Sequence, residues 1–186
     1  MVEVGNPVLR ERARELSLDE LAAPETQRLI DDMIETMRAA GGAGIAANQV
    51  GEKVRIAVAE VADNPRYPYK PRVPLTVFVN PEIEVLDEAT ETINEGCLSV
   101  PGIRGELERH MRVRVSYLDR DGAAHEEEKR GLTAGTFQHE VDHLDGILFL
   151  DRVTDPRTLT TWAEFERRGL EPFAARAADI TARYGS

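Results

Sequence analysis

The sequence has a single cysteine and no long hydrophobic run. One cysteine in 186 residues excludes an intramolecular disulfide, so the fold must depend on its hydrophobic core. Apolar runs such as residues 147–150 are far shorter than the about 20 residues that a membrane-spanning helix needs. The first residues show no basic segment followed by an apolar stretch, so we expect no signal or transit peptide. These absences predict a cytoplasmic protein that makes no membrane contact.

Basic residues are also scarce. The chain has 23 Lys and Arg against 34 Asp and Glu, which gives a formal net charge of −11. Binding to nucleic acid depends on a clustered basic face, so we expect no DNA partner. The hydrophobic share of 41% and the charged share of 31% are typical of a folded globular protein rather than a disordered one. At this length we predict a single domain over residues 1–186.

Hydrophobic spacing predicts a helix, then strands. Apolar residues recur at helical intervals from Leu29 to Met37, after Pro24 and before the pair Gly41-Gly42. Alternation over residues 111–118 predicts a strand with one buried face, and Asp121-Gly122 predicts a hairpin turn after it.

The connecting and C-terminal segments follow the same rules. Prolines at 65, 68, 71 and 74 predict an exposed loop. The helical period returns over residues 132–144 and, with interruptions, over residues 159–184. Strands grouped apart from helices favour an α+β fold with mostly antiparallel sheets.

The sharpest local pattern is His139-Glu140-Val141-Asp142-His143. On a helix, residues i and i+4 lie on one face with Cβ atoms about 5–6 Å apart, so two imidazoles there can bind one metal ion. A catalytic site usually offers three protein ligands and one further position for water or substrate. Spacing alone does not identify the third ligand, because an acidic residue after His143 could also bind the ion.

Two other segments are unusually rich in glycine and other small residues, so their backbones are little covered by side chains. Cys97 lies in Glu95-Gly96-Cys97-Leu98-Ser99, followed by Pro101-Gly102, which predicts a turn. A lone cysteine is by default a small buried hydrophobe, but glycine beside it lets the backbone approach another element closely. The stretch from Gly42 to Gln49 is equally rich in small residues and ends in an amide that can donate into a cavity.

Taken together and in this order, the three segments resemble those of the peptide deformylase family. The family motifs Gly-x-Gly-Leu-Ala-Ala-x-Gln, Glu-Gly-Cys-Leu-Ser and Gln-His-Glu-x-Asp-His-Leu-x-Gly match residues 42–49, 95–99 and 138–146, with Ile45 replacing the usual leucine. The resemblance covers roughly residues 1–155 and leaves residues 155–186 as an uncovered C-terminal tail. It implies mostly antiparallel sheets packed around a central helix that carries His-Glu-x-x-His, an N-terminal helix and a helical tail.

The resemblance also implies a metal-dependent hydrolase that removes the N-formyl group from the formylmethionine of new proteins and releases formate. Its metal ligands would be Cys97, His139 and His143. Water bound to the ion would attack the formyl carbon, with Glu140 as general base and acid. The oxyanion would be stabilised by the Gln49 amide and the Leu98 backbone N–H. A thiolate and two imidazoles suit one divalent ion of Fe(II), Zn(II), Ni(II) or Co(II), and the family usually employs Fe(II).

Substrate-binding positions follow from the same resemblance. Formylmethionyl nascent polypeptides would be held by backbone groups, with Gly44 also near the reacting atoms, and by a pocket for the methionine side chain. The Gly135 position is often bulky in the family, which predicts a roomier pocket, and Glu95 would pair with Arg109. The complete set of predicted substrate-binding residues is Ala43, Gly44, Gly96, Arg104, Leu132, Gly135 and Thr136.

Two alternatives remain open. A zinc peptidase would use the two histidines and Glu140 but leave Cys97 and Gln49 without roles. A non-catalytic ribosome-associated homologue would need none of the catalytic residue types that are present. The arginines of the tail also have two interpretations. They would either form a solvated helical face, which we favour, or make transient contact with ribosomal RNA.

Overall fold

The computed structural model describes residues 1–62 and 64–186. Short 3-10 turns and one π-helical turn, Phe165–Gly169, accompany the main elements. The α-helices of the described residues are α1 (Leu18–Ala22), α2 (Pro24–Ala39), α3 (Gly131–Leu144), α4 (Phe149–Arg152), α5 (Trp162–Glu164) and α6 (Leu170–Tyr184). Their strands are β1 (Gly44–Ala46), β2 (Ile56–Val61), β3 (Val73–Val85), β4 (Thr90–Cys97), β5 (Val100–His110), β6 (Arg112–Leu118), β7 (Ala124–Arg130) and β8 (Thr160–Thr161).

These strands form two antiparallel sheets. The larger sheet has the order β1-β2-β3-β6-β7, and the smaller has the order β4-β5-β8. In the β6–β7 hairpin, Leu118 pairs with Ala124, and Gly122 takes a φ of +84° in the turn, as Asp121-Gly122 predicts. The α+β class with antiparallel sheets and a C-terminal helix is therefore confirmed.

Helix α2 covers one face of the larger sheet. It begins at Pro24, and just after its end Gly41 has a φ of +61°, a left-handed value that favours glycine. Ile30, Met33 and Met37 are buried against the side chains of β1, β2 and β3. Fully burying a side chain of this kind contributes about 1.5–3 kcal/mol, so this stripe holds the helix on the sheet.

Helix α3 contacts strands of both sheets. On one side Phe137 packs against Phe78 of β3, with ring centroids 4.9 Å apart. On the other side Leu132 belongs to a cluster shared with β4 and α6. Because the helix has neighbours all round, even Gln138 and Glu140 are buried. Burial of polar groups is costly unless they are paired, so these residues need partners or a chemical role.

The β4–β5 hairpin brings Cys97 to the side of α3. Cys97 ends β4 and pairs with Val100, so the turn lies at Leu98–Ser99. The expected turn at Pro101-Gly102 is wrong, because both residues lie within β5. Gly102 instead adopts a φ of +71° where the register of the two strands shifts, so the glycine serves a bulge.

The C-terminal tail packs onto the rest of the fold. Phe173, Ala177 and Ile180 of α6 are buried in the cluster that contains Leu132. Arg176 and Arg183 form ion pairs with Glu106 of β5 and Glu91 of β4. These arginines therefore neutralise carboxylates of the same chain, which supports the reading of a helical face that closes the fold.

The proline-containing loop between β2 and β3 is less exposed than its sequence predicts. Tyr69 and Lys70 are half-buried, and the Tyr69 ring meets Phe173 edge-on with centroids 4.8 Å apart. The prolines keep this segment out of the sheet, but the aromatic contacts hold it against the tail. None of the helices in the described part of the chain has the length and apolar character required to cross a bilayer.

Candidate active site

Three potential metal ligands converge between β4 and α3. Donor atoms of Cys97, His139 and His143 all lie within 4.8 Å of one another, and Cys97 Sγ is 3.1 Å from His143 Nε2. The two histidines are one helical turn apart on α3, as their spacing predicts. Spacing alone left the third ligand open, and the fold supplies Cys97 from another strand. A thiolate with two imidazoles is a donor set for a transition metal rather than for Mg²⁺ or Ca²⁺.

A buried ion-pair network orients His139. Its Nδ1 lies 2.8 Å from Glu95 Oε2, which leaves Nε2 directed toward Cys97 and His143. Arg109 donates to both Glu95 oxygens, at 2.8 and 3.0 Å, and to Asp142 at 2.6 Å. The predicted Glu95–Arg109 pair is therefore confirmed, and it is buried rather than solvated. Asp142 extends the network to Arg152.

The charges in this network set the protonation of Glu95. Burial alone would raise the pKa of this carboxyl group, but the charges of Arg109 and His139 outweigh burial and lower it well below its usual range. Glu95 is thus an anion that fixes the His139 ring.

Glu140 lies in a different environment on the same helix. Burial raises the pKa of its carboxyl group to about 7, and the nearby charges of His139 and Lys70 limit the rise. Its Oε2 is buried and has no hydrogen-bond partner among the described residues. A carboxyl group with a pKa near neutrality and an unused oxygen is suited to taking up and returning a proton.

Gly44 makes room for that carboxyl group. A Cβ atom built on Gly44 would lie 2.6 Å from Glu140 Cδ, a separation that real Cβ atoms essentially never show. Glycine is therefore required here by close approach rather than by its φ angle. Gly42 has a similar role, because a Cβ there would lie 2.8 Å from Leu98 Cδ1.

The Gln49 side chain is fixed at the other wall of the cavity. Its Oε1 accepts a hydrogen bond from the Ala46 backbone N–H at 2.8 Å. This orients Nε2 toward Ser99 Oγ, at 3.1 Å, and toward Cys97 Sγ, at 3.5 Å. The amide nitrogen therefore points into the region of the three donor atoms.

One cavity contains nearly all of the predicted site residues. It is lined by the predicted residues Ala43, Gly44, Gln49, Gly96, Cys97, Leu98, Arg104, Leu132, Gly135, Thr136, His139 and Glu140. His143 belongs to the cluster of the three donor residues but does not line the cavity, and it is fully buried. The fold thus brings together segments that lie up to 100 residues apart in the chain.

The structure corrects the expected room at Gly135 and gives Arg104 partners within the chain. The pocket is not roomier at Gly135, because Ile93 Cδ1 lies 2.8 Å from the place where a Cβ would be and fills that space. Arg104 lines the cavity, but its donors bind the Asn94 side chain and backbone and the Tyr69 hydroxyl. Its guanidinium also lies against the rings of Trp162 and Phe165, so it forms part of the cavity wall.

Sequence reasoning missed six residues of the cavity wall. Tyr67, Tyr69 and Lys70 come from the proline-containing loop, Ile93 and Asn94 come from β4, and Phe173 comes from α6. Proline content predicts exposure, and no local pattern indicates that a distant helix folds over this loop. The aromatic residues between the prolines were the one available signal, because aromatic side chains usually pack.

The fold and the cavity together define an α+β protein in which a buried glutamate adjoins a cluster of one thiol and two imidazoles. The sequence pattern of the polypeptide deformylase family matches residues 1–158. A peptide deformylase of Leptospira biflexa is 42% identical over 154 residues, which cover 82% of this chain and 86% of the relative.

Solved structures agree with this assignment. A class I type b peptide deformylase from Acinetobacter baumannii with bound Met-Ala-Ser matches with a TM-score of 0.79 and 41% identity, covering 82% of this chain and 96% of that one. The peptide deformylase of Thermotoga maritima matches with a TM-score of 0.74 and 39% identity, covering 83% and 97%. The chain belongs to the polypeptide deformylase family, a family of enzymes that remove the N-formyl group from nascent peptides.

Proposed function

We propose that this chain is a metal-dependent peptide deformylase that hydrolyses N-formylmethionyl peptides to formate and a free amino terminus. The observation that carries the proposal is that Cys97, His139, Glu140 and Gln49 line one cavity and that His143 joins Cys97 and His139 in one cluster of donor atoms. A peptidase of the His-Glu-x-x-His type would have no use for a thiol at this place or for an amide directed toward it.

Cys97, His139 and His143 would hold one divalent ion, which when bound supplies a Lewis acid and lowers the pKa of water. The donor chemistry fits the ion. Cys97 Sγ lies close to His143 Nε2, and Glu140 presents an unpartnered buried oxygen beside them. Among Fe(II), Zn(II), Ni(II) and Co(II), we favour Fe(II), on the resemblance to the family.

Glu140 is proposed to move the proton in both halves of the reaction. As a carboxylate it takes a proton from the attacking water, and as a carboxylic acid it delivers that proton to the leaving amine nitrogen. A pKa of about 7, raised by burial, makes both forms accessible near neutral pH. The close approach that Gly44 allows keeps the carboxyl group against the substrate.

Hydrogen-bond donors stabilise the oxyanion that forms on the formyl oxygen. Gln49 Nε2 is preorganised for this by the bond from Ala46 to its Oε1. The Leu98 backbone N–H is the second proposed donor, at the turn next to Cys97. Donors that are fixed before the reaction need no reorganisation when the charge develops.

The peptide would lie along the edge strand β1 of the larger sheet. β1 pairs with β2 on one side only, so backbone groups of Gly44 can pair with an extended peptide on the other. Ala43, whose carbonyl accepts a hydrogen bond from the Glu60 N–H, would border the peptide just before the strand. Gly96 would face the same peptide from β4, and Leu132, Gly135, Thr136 and Arg104 would border its first side chains. That the Acinetobacter relative binds Met-Ala-Ser supports a peptide as the ligand.

A formate-release assay on formyl-Met-Ala-Ser, paired with anaerobic metal analysis, tests the proposal. We expect turnover in the protein with its metal, and retention of metal with loss of turnover in Glu140→Gln. Cleavage of an internal amide bond without formate release would favour the peptidase alternative. Full activity of Glu140→Gln would contradict the proposed proton transfer.

The whole chain, residues 1–186, is proposed to act as one catalytic domain, because α6 packs its apolar face against α3. Transient ribosome contact through the tail stays a prediction. Arg167 and Arg168 pair with Glu164, so a simple basic patch is not present there. Ribosome co-sedimentation of a chain lacking the residues after Thr158 tests the contact. Co-sedimentation equal to that of the full-length chain would contradict the predicted contact.

A further inference from the structure

The side chain of Lys70 reaches the active-site cavity from the loop between β2 and β3. Its Nζ donates a hydrogen bond to Thr136 Oγ1 at 2.8 Å and lies 5.4 Å from the centre of the Tyr67 ring. Within residues 1–62 and 64–186, no carboxylate forms an ion pair with it. An ammonium group has three donors, so part of its hydrogen-bonding capacity is left for a ligand.

The position of Lys70 relative to Glu140 follows from α3. Thr136 and Glu140 are four residues apart on this helix, so their Cβ atoms are about 5–6 Å apart along one face. If the proposed function holds, the formyl carbon lies next to Glu140. Five covalent bonds separate that carbon from the sulfur of formylmethionine, about 6 Å in an extended chain. The far part of the first side chain therefore reaches the level of Thr136 and Lys70.

Apolar side chains form part of the cavity wall. Leu132, Ile93 and Phe173 line it, and Ile93 also occupies the space beside Gly135. Glu95 and Arg104 line the cavity too, but each is bound to a partner in the chain. The first side chain would thus lie against these apolar side chains, with the ammonium group of Lys70, which has no ion-pair partner among the described residues, near its end. We propose that Lys70 selects N-formyl peptides whose first side chain carries a hydrogen-bond acceptor near its end, namely methionine or methionine sulfoxide, over the aliphatic isostere norleucine.

The physical reason is the cost of covering an ammonium group with hydrocarbon. A norleucine side chain would exclude water from Lys70 and return no hydrogen bond, which leaves donors unsatisfied. A thioether sulfur is a weak acceptor, and a sulfoxide oxygen is a much more polar one. Burial lowers the pKa of Lys70 to about 8, so the group still carries its charge at pH 7.

The test compares formyl-Met-Ala-Ser, its methionine sulfoxide form and formyl-norleucyl-Ala-Ser as substrates of the metal-loaded, full-length protein at pH 7. We expect kcat/KM for the first two to exceed that for norleucine by at least about five-fold. In Lys70→Met, methionine and norleucine should fall within about two-fold of each other, and the sulfoxide should lose at least about ten-fold. Lys53→Met, a change at an exposed lysine paired with Glu11, is the control that should keep the wild-type ratios.

Thr136→Val provides a second variant if Lys70→Met does not fold, because it removes the hydroxyl group that accepts the hydrogen bond from Lys70 Nζ. It should also bring the kcat/KM values of the three substrates closer together. Binding of Met-Ala-Ser against norleucyl-Ala-Ser, measured by competition, should show the same preference without any chemical step. Unchanged ratios in both variants would overturn the proposal. So would an equal loss for all three substrates with a shifted pH profile, because Lys70 would then act through Glu140. Absence of formate release from every substrate would instead refute the proposed function.

Discussion

Gly44 and Glu140 are in such close contact that only glycine fits between β1 and the carboxyl group of α3. A Cβ on Gly44 would lie 2.6 Å from Glu140 Cδ and 2.9 Å from its Cγ. The backbone of β1 therefore fixes the position of the proposed proton carrier. A side chain at residue 44 would have to displace Glu140 or the strand itself.

Gly44→Ala should lower kcat by about 100-fold with metal content unchanged, because a shift of about 1 Å in a catalytic group can cost that much. Steady-state formate release and metal analysis measure the two quantities. Gly51→Ala is a useful control: its φ of +93° makes alanine unfavourable, but no other group lies within 4 Å of the new Cβ. This control should lose about 1 kcal/mol of stability and keep kcat. Normal kcat in Gly44→Ala would contradict the positioning role.

Cys97→Ser tests the proposed thiolate ligand. A serine oxygen is harder and far less acidic than a thiol, so affinity for a transition metal should fall by at least about ten-fold. Titration with a metal indicator measures this affinity. Ser99→Ala removes the hydroxyl group beside Gln49 but leaves all three donors, so it should bind metal normally. Equal affinities in wild type and Cys97→Ser would exclude Cys97 as a ligand.

Arg109→Met tests the buried network behind His139. The substitution leaves Glu95 and Asp142 buried without their shared partner, and breaking such a pair costs about 3–5 kcal/mol. Urea denaturation measures the free energy of unfolding. Arg176→Met breaks a partly exposed pair with Glu106, where the loss should stay below about 1 kcal/mol. Similar losses of unfolding free energy in the two variants would show that the buried Arg109 network contributes no more to stability than a partly exposed ion pair.

The depressed pKa of Lys70 predicts how stability changes at alkaline pH. Burial lowers this pKa from an ordinary 10.5 to about 8. Between these values the unfolded chain holds a proton that the folded chain has released, so the free energy of unfolding rises with pH. Relative to Lys70→Met, the wild type should gain about 1–2 kcal/mol from pH 8 to pH 10. Urea denaturation at several pH values measures this difference.

The exposed Lys53 provides the comparison for this experiment. Lys53→Met should show the same pH dependence as the wild type, because this substitution changes an exposed side chain at the surface and leaves Lys70 untouched. A constant difference between wild type and Lys70→Met would mean that Lys70 is not desolvated in the folded protein.

The amino-acid sequence determined the features that depend on local spacing. Apolar periodicity placed α2 and α3, and Asp121-Gly122 placed the β6–β7 turn. Four residues between His139 and His143 put both imidazoles on one helical face wherever that helix lies. Local steric rules and the hydrophobic effect act over a few residues, so these features can be predicted without knowing the fold.

Only the tertiary structure decided what surrounds these residues. Cys97 comes within 3.1 Å of His143 because the β4–β5 hairpin packs beside α3, and spacing along the chain contains no information about that contact. Ile93 fills the space that Gly135 leaves, and the tail helix covers the loop that carries Lys70. Contacts between distant segments depend on how whole elements pack, so the shape and charge of the pocket follow from the complete core.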